Sequence, residues 1–214
     1  MMSHLLPDET VVDAYRELRA RVIDVLRSLT DEQTQLVVPA CPAWNVAELA
    51  SHLVGVPEDI LAGRMDGVTT EAWTQAQVDR HRGASATELA DRFSATIEAF
   101  DKVLPHIPSP INSQMVMDAV THEFDLRRAI ELPGAQNSSA VKVALGWLLD
   151  RAESRDPLLV DRLRASGASD YDLLRSLSGR RTLEQITAIG LDADEVAKLL
   201  EGSPLKLPDR PVES

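Results

Sequence analysis

A single cysteine, Cys41, among 214 residues leaves no partner for an intramolecular disulfide. The fold must therefore rest on packing and hydrogen bonds, and a reducing compartment suits it. Basic residues are scarce too: 22 Lys and Arg stand against 34 Asp and Glu, a formal charge of −12. Binding to a phosphate backbone or an anionic lipid surface is driven by clustered Lys and Arg, so neither nucleic acid nor membrane is an expected partner. No apolar run approaches the roughly 20 residues that span a bilayer. The start, Met1-Met2-Ser3-His4-Leu5-Leu6-Pro7, has no basic segment leading into an apolar one, and a cytoplasmic location is the expectation. There is also no Gly-x-Ser-x-Gly elbow, no Walker loop and no Gly-x-Gly-x-x-Gly fingerprint, which leaves serine-hydrolase, P-loop and dinucleotide chemistry without local support. Internal repeats and low-complexity tracts are missing as well.

The composition, 44% hydrophobic and 26% charged, is that of an ordinary globular chain long enough for one sizeable core with a small appended segment. Helical spacing dominates its first 155 residues. Val12, Tyr15, Leu18, Val22 and Val25 or Leu26 predict a core-facing helix over Val11 to Leu29. Asn45 with Glu48 forms a capping box that opens a second helix carrying His52, and Pro57 is expected to bend it or mark a join. Residues 64–84 lack a sustained period and read as a loop around a short helix near Trp73. Ser85 with Glu88 opens a third helix, in which Leu89, Phe93, Ile97 and Phe100 or Leu104 recur before Pro105 and Pro108. A fourth follows Asn112 and ends near Glu131, with Gly134 as its C′ residue. A fifth covers about 139 to 153. Two short helices, Tyr171 to Leu177 and Thr182 to Ile189, flank Gly179, and Ser203 to Ser214 is expected to be extended or disordered. The fold class is mainly all-α, an up-and-down four-helix bundle over 1–155 with a C-terminal segment, 156–214, packed on it.

Asp118, His122 and Asp125 carry the chemistry. At about 100° per residue they fall within an arc of roughly 60° on the fourth helix, beside Met115, Ala119, Leu126, Ala129 and Ile130. Carboxylates bordering a core need hydrogen-bonding neighbours or a cation to offset desolvation. His52 lies at the margin of its own apolar stripe, so a bundle could bring it to that face. Simpler readings stand beside this one. The Asp-x3-His spacing can be an ordinary surface pair, His52 a core-edge histidine, Trp44 and Trp147 core aromatics, Arg180-Arg181 a solvated pair, and Cys41 a small buried side chain.

Two stretches resemble a known family. Val38-Pro39-Ala40-Cys41-Pro42-Ala43-Trp44-Asn45-Val46-Ala47-Glu48-Leu49-Ala50-Ser51-His52-Leu53 is similar to the N-terminal signature of the mycothiol-dependent maleylpyruvate isomerases in the DinB-like superfamily, and Asp118 to Ala129 resembles their second metal helix. The segment Leu174 to Ile186 resembles a recurrent C-terminal piece. The resemblance implies a four-helix bundle holding a divalent metal, usually zinc with nickel as the other candidate, on His52, Asp118 and His122. It further implies a low-molecular-weight thiol such as mycothiol, made a thiolate nucleophile by the metal and directed at a small electrophilic substrate for transfer or isomerisation. His52, Asp118, His122 and Asp125 would form the catalytic centre, Asp125 orienting a ligand histidine. From residue type alone, not from the resemblance, Arg127, Arg128 and Arg180 are the candidates to bind the cofactor or an anionic substrate. A monomer or homodimer is expected. One position departs from the pattern: Asp118 stands where the isomerases carry glutamate. The alternative is a DinB-like module that binds metal or a small ligand without turnover, and a third is an interaction protein whose polar cluster is only a hydrogen-bond network.

Overall fold

The computed structural model describes residues 3–213. The fold is mostly helical, as expected, with a two-stranded ribbon that the sequence reading did not foresee. In chain order the first elements are α1 (Asp8–Ser28), α2 (Asp31–Thr34), β1 (Val37–Val38), β2 (Cys41–Asn45), α3 (Val46–Ala62) and α4 (Glu71–Arg80). Next come α5 (Ala86–Ala95), α6 (Ile97–Val103), a 3-10 turn (Leu104–His106) and α7 (Ile111–Ala129). The remainder is α8 (Ser139–Arg155), α9 (Leu159–Ala165), α10 (Asp170–Leu177), α11 (Leu183–Ala188) and α12 (Ala193–Leu200). No helix among the described residues is long and apolar enough to cross a membrane.

The chain divides into two compact units. One takes in Tyr15–Pro108 and His122–Pro133; the other takes in the chain up to Ala14, Ser109–Thr121 and the chain from Gly134 onward. Helices α1 and α7 each contribute their two parts to different units.

In the first unit, α1 supplies Tyr15, Leu18, Val22 and Leu26 to the core, and the Tyr15 ring packs 5.4 Å from that of Phe100 on α6. The capping box at α3 forms as its sequence requires: Asn45 Oδ1 accepts from Glu48 N–H at 2.9 Å and Glu48 Oε2 accepts from Asn45 N–H at 2.9 Å. Left-handed Gly63 ends the helix. Pro57 does not break α3, which runs through it with the ring buried. A proline forfeits one ladder bond but does not forbid continuation where packing holds both sides. The ribbon β1–β2 is antiparallel, with Val37 opposite Asn45 and Val38 opposite Cys41. Two residues in β1 and five in β2, with two prolines in or between them, give too short a pattern for an alternating strand signal.

The expected third helix is two. The Thr96 hydroxyl donates to the Phe93 carbonyl at 2.7 Å, and its N–H also goes to Phe93. This i−3 bonding interrupts the regular ladder and resets the faces, so Phe93 and Phe100 stay buried while Ile97, expected in the stripe, is 38% exposed. The end of α7 is also a correction. Glu131 takes the left-handed conformation at φ 55 and Leu132 N–H reaches back to the Arg127 carbonyl at 2.9 Å. That is the six-to-one bond of a Schellman cap, three residues before the glycine expected there.

In the second unit, α8 buries Val141, Val143, Leu145, Leu148 and Leu149, and α10 packs against it with Leu173, Leu174 and Leu177. Helices α9 and α12 were not foreseen; they bury Leu159, Val160, Leu163, Val196 and Leu200. Arg180-Arg181 is not a solvated pair. Arg181 bonds Asp172 at 2.6 Å and Glu213 at 3.2 Å, while fully buried Arg175 bonds Glu213 at 2.8 Å. The tail, expected to be extended or disordered, has no regular element and is held at Glu213; Ser214 lies outside the described residues.

The break at Thr96 sets a test. Phe93→Ala should cost about 3–5 kcal/mol in urea unfolding, as a large buried aromatic does, and Ile97→Ala less than about 1 kcal/mol. Equal losses would mean that Ile97 is packed.

Candidate functional site

The capped start of α3 fixes the register that turns Leu49 and Leu53 into the core and brings His52, 4% exposed, to its edge. The His52 Nδ1 lies 2.7 Å from Gln77 Oε1 on α4. Gln77 Nε2 donates to Asp59 Oδ2 at 2.8 Å, and Asp59 Oδ1 also accepts from Arg64 and Arg80, both at 2.6 Å. The close approach of α4 depends on Gly55, where an added Cβ would come within 2.5 Å of Gln77 Cβ.

On α7, His122 turns its ring edge-on to His52, with centroids 5.2 Å apart and planes at 89°. Its Nδ1 lies 3.2 Å from Asp125 Oδ2. A carboxylate only accepts, so this contact is Nδ1–H donating, and in the neutral ring the lone pair falls on Nε2. Asp125 is buried, and the Cys41 thiol donates to its Oδ2 over 4.0 Å. Cys41, His122 and Asp125 offer ligand atoms within 4.8 Å of one another. Cys41 is half-buried, not enclosed as expected. Trp44, expected as a core aromatic, lies over both imidazoles at 5.8 Å from His52 and 6.3 Å from His122. Asp118 is half-buried, one helical turn before His122 on the unbroken α7, so the two share a face.

The three arginines have different surroundings. Arg127 bonds Glu123 at 3.0 Å, and Arg21 bonds the same fully buried carboxylate through two nitrogens at 3.0 and 2.8 Å. Arg128 is exposed, and Arg180 donates to the Ser178 carbonyl at 2.8 Å. Gln77 and Asp59 were not found by sequence reasoning. Gln77 fell in the stretch without helical period and Asp59 beyond a proline, and neither position carries a spacing that points to histidine.

Donors of this kind, two imidazoles beside carboxylates and a thiol, match borderline cations such as zinc. Residues 15–129 match the family described as Mycothiol maleylpyruvate isomerase N-terminal domain. The chain belongs to that family. No curated protein and no solved structure matches it. The mycothiol maleylpyruvate isomerase N-terminal domain contains Cys41, Trp44, His52, Asp59, Gln77, Asp118, His122 and Asp125, whereas Arg180 lies beyond it.

Bordering the site, Glu58 accepts from His81 at 3.0 Å and from Arg80 at 3.1 Å. Partial burial works against its charged form, yet the bond and charge of His81, aided by Arg80, hold its carboxyl below the usual range. Because the folded value is depressed, its stabilising effect is complete above pH 4.5, the ordinary value, and is lost as pH falls further. Glu58→Gln should therefore be less stable than wild type near neutral pH and converge with it in acid. Urea midpoints at both ends test this, and an undiminished difference in acid would remove the ion pair as the cause.

Proposed function

We propose that this chain is a metal-dependent enzyme that uses a low-molecular-weight thiol, mycothiol or a relative of it, to transfer to or isomerise a small electrophile. The observation that carries the reading is the facing pair of imidazoles, His52 and His122, with the Nδ1 of each engaged by a buried partner, inside a domain of this family. In the proposal His52, Asp118 and His122 hold one divalent ion, zinc before nickel. The ion would supply Lewis acidity, lowering the pKa of a thiol so that it attacks as a thiolate near neutral pH.

The chain's own residues have separate roles. Asp125 accepts from His122 and orients it, as the outer partners of ligand histidines do. Trp44 narrows access and gives the substrate an apolar wall. In the proposal Arg128, exposed at the end of α7, meets an anionic group of the thiol or substrate; Arg127 is committed to Glu123, and Arg180 is the remaining candidate outside the domain. The up-and-down DinB-like bundle belongs to the same proposal, with α1, α3, the α5–α6 pair and α7 as its four members. In support, α3 packs on α5 and α6, Tyr15 meets Phe100, and Arg21 reaches Glu123. The division at 155 into a metal-binding bundle and a C-terminal segment, in a cytoplasmic protein acting as monomer or homodimer, is part of the proposal as well.

Protein purified without chelator should contain about one zinc or nickel ion per chain. His122→Ala should lose most of it, because water does not replace one of three protein ligands, and metal analysis that found full loading in the variant would remove the ligand assignment. Chelation should leave helical circular dichroism largely intact, since the buried core is apolar and extensive. Loaded protein should consume an electrophile only with a thiol present, and Asp118→Glu should raise isomerase turnover if one methylene is all that separates this site from the isomerases. Metal loading with no turnover across a panel of thiols and electrophiles would favour the binding module.

A further inference from the structure

Asp59, Gln77 and His52 form a line of side chains whose direction is fixed by chemistry at one end. Asp59 is 1% exposed, Gln77 is fully buried and His52 is 4% exposed, so water does not compete for their bonds. Arg64 and Arg80 both donate to Asp59 Oδ1, which leaves Oδ2 for Gln77. An ionised carboxylate can only accept, so the Gln77 amide must turn its NH2 toward Asp59 and its oxygen toward His52. A carbonyl oxygen likewise only accepts. The 2.7 Å contact must then be the Nδ1–H of His52 donating to Gln77 Oε1. The glutamine cannot flip without setting its NH2 against a ring N–H and its oxygen against a carboxylate. Gly55 belongs to the same device, because a Cβ there would collide with Gln77 Cβ and Cγ at 2.5 and 2.7 Å.

We propose that Gln77, oriented by Asp59, is a positioning residue that holds His52 as its Nδ1–H tautomer and so presents Nε2 as a lone pair to the site. An unconstrained imidazole in water prefers the opposite tautomer, with the proton on Nε2, where it cannot coordinate. The relay removes that loss before any ligand arrives and fixes the plane of the ring as well. It parallels the Asp125 contact that does the same for His122, so the two histidines are set by different acceptors on different elements. The use made of the lone pair rests on the metal reading above; the tautomer itself does not.

The experiment is two-bond 1H–15N correlation of the histidine rings in uniformly labelled, metal-free full-length protein at about pH 8, where an ordinary imidazole is neutral. His52 should show the Nδ1–H pattern. In Gln77→Met, of similar volume but with no acceptor, it should revert to the Nε2–H pattern, and Gln77→Glu, which still accepts, should keep Nδ1–H. Zinc titration should show affinity lower by about 10- to 100-fold in Gln77→Met. A wild-type His52 with its proton on Nε2 overturns the proposal and needs no variant. So does an unchanged Nδ1–H pattern in folded Gln77→Met. If the tautomer follows Gln77 but zinc binds neither wild type nor variant, the relay stands and the metal reading falls. If zinc is lost on His52→Ala while Gln77→Met changes neither tautomer nor affinity, the metal reading stands and the relay falls.

Discussion

Polar side chains taken out of water must find partners within the fold, and that constraint organises the unit that contains His52. Asp59, Gln77, Glu123 and Asp125 are all essentially inaccessible. A buried carboxylate left alone costs several kcal/mol, and each of these has at least one partner on another element: Asp59 is met by Arg64, Arg80 and Gln77, Glu123 by Arg21 and by Arg127 of its own helix, Asp125 by Cys41 and by His122 of its own helix. The apolar stripes bring the helices together without directional preference. The polar lines choose among the ways they could pack, because a rotated helix would leave a charge unpaired.

Seen this way, the histidines are not isolated donors that happen to meet. Each is the inner end of a polar chain whose outer end is held by arginine or by the turn of a helix. Rigidity of this sort is what a coordination or catalytic site requires, since a donor that must first reorient loses affinity and rate. Trp44 adds the apolar complement, a large flat surface over both rings, carried by the ribbon strand immediately before α3. The same short segment thus supplies the cap that starts the helix, the thiol that reaches Asp125 and the ring that covers the imidazoles.

Most of the helical content was legible because helix signals are local. Asn45 with Glu48 and Ser85 with Glu88 marked helix starts correctly, and the stripe from Val12 to Leu26 marked a core face. What escaped notice depended on partners far along the chain. The break at Thr96 comes from a hydroxyl competing with the ladder, and a threonine in a helical pattern gives no sign of whether it will do so. Glu131 adopts a conformation that composition assigns to glycine, so Gly134 was the natural and wrong choice. Helices α9 and α12 are short, and seven or eight residues barely establish a period. At the site, the face shared by Asp118, His122 and Asp125 follows from spacing alone, whereas Gln77 and Asp59 become meaningful only once α3 and α4 lie side by side.

The contact between Arg175 and Glu213 spans 38 residues. Arg175 is 1% exposed and also reaches the Thr121 carbonyl, 54 positions earlier, so its surroundings are assembled from three distant parts of the chain. During synthesis α10 emerges from the ribosome with this cation still lacking its carboxylate, and burying it then would be costly. At roughly 5 to 20 residues per second, seconds pass before Glu213 follows. Closure of that unit is therefore timed by translation: the helices can form as they appear, but the interior around Arg175 cannot dry until the counter-charge arrives.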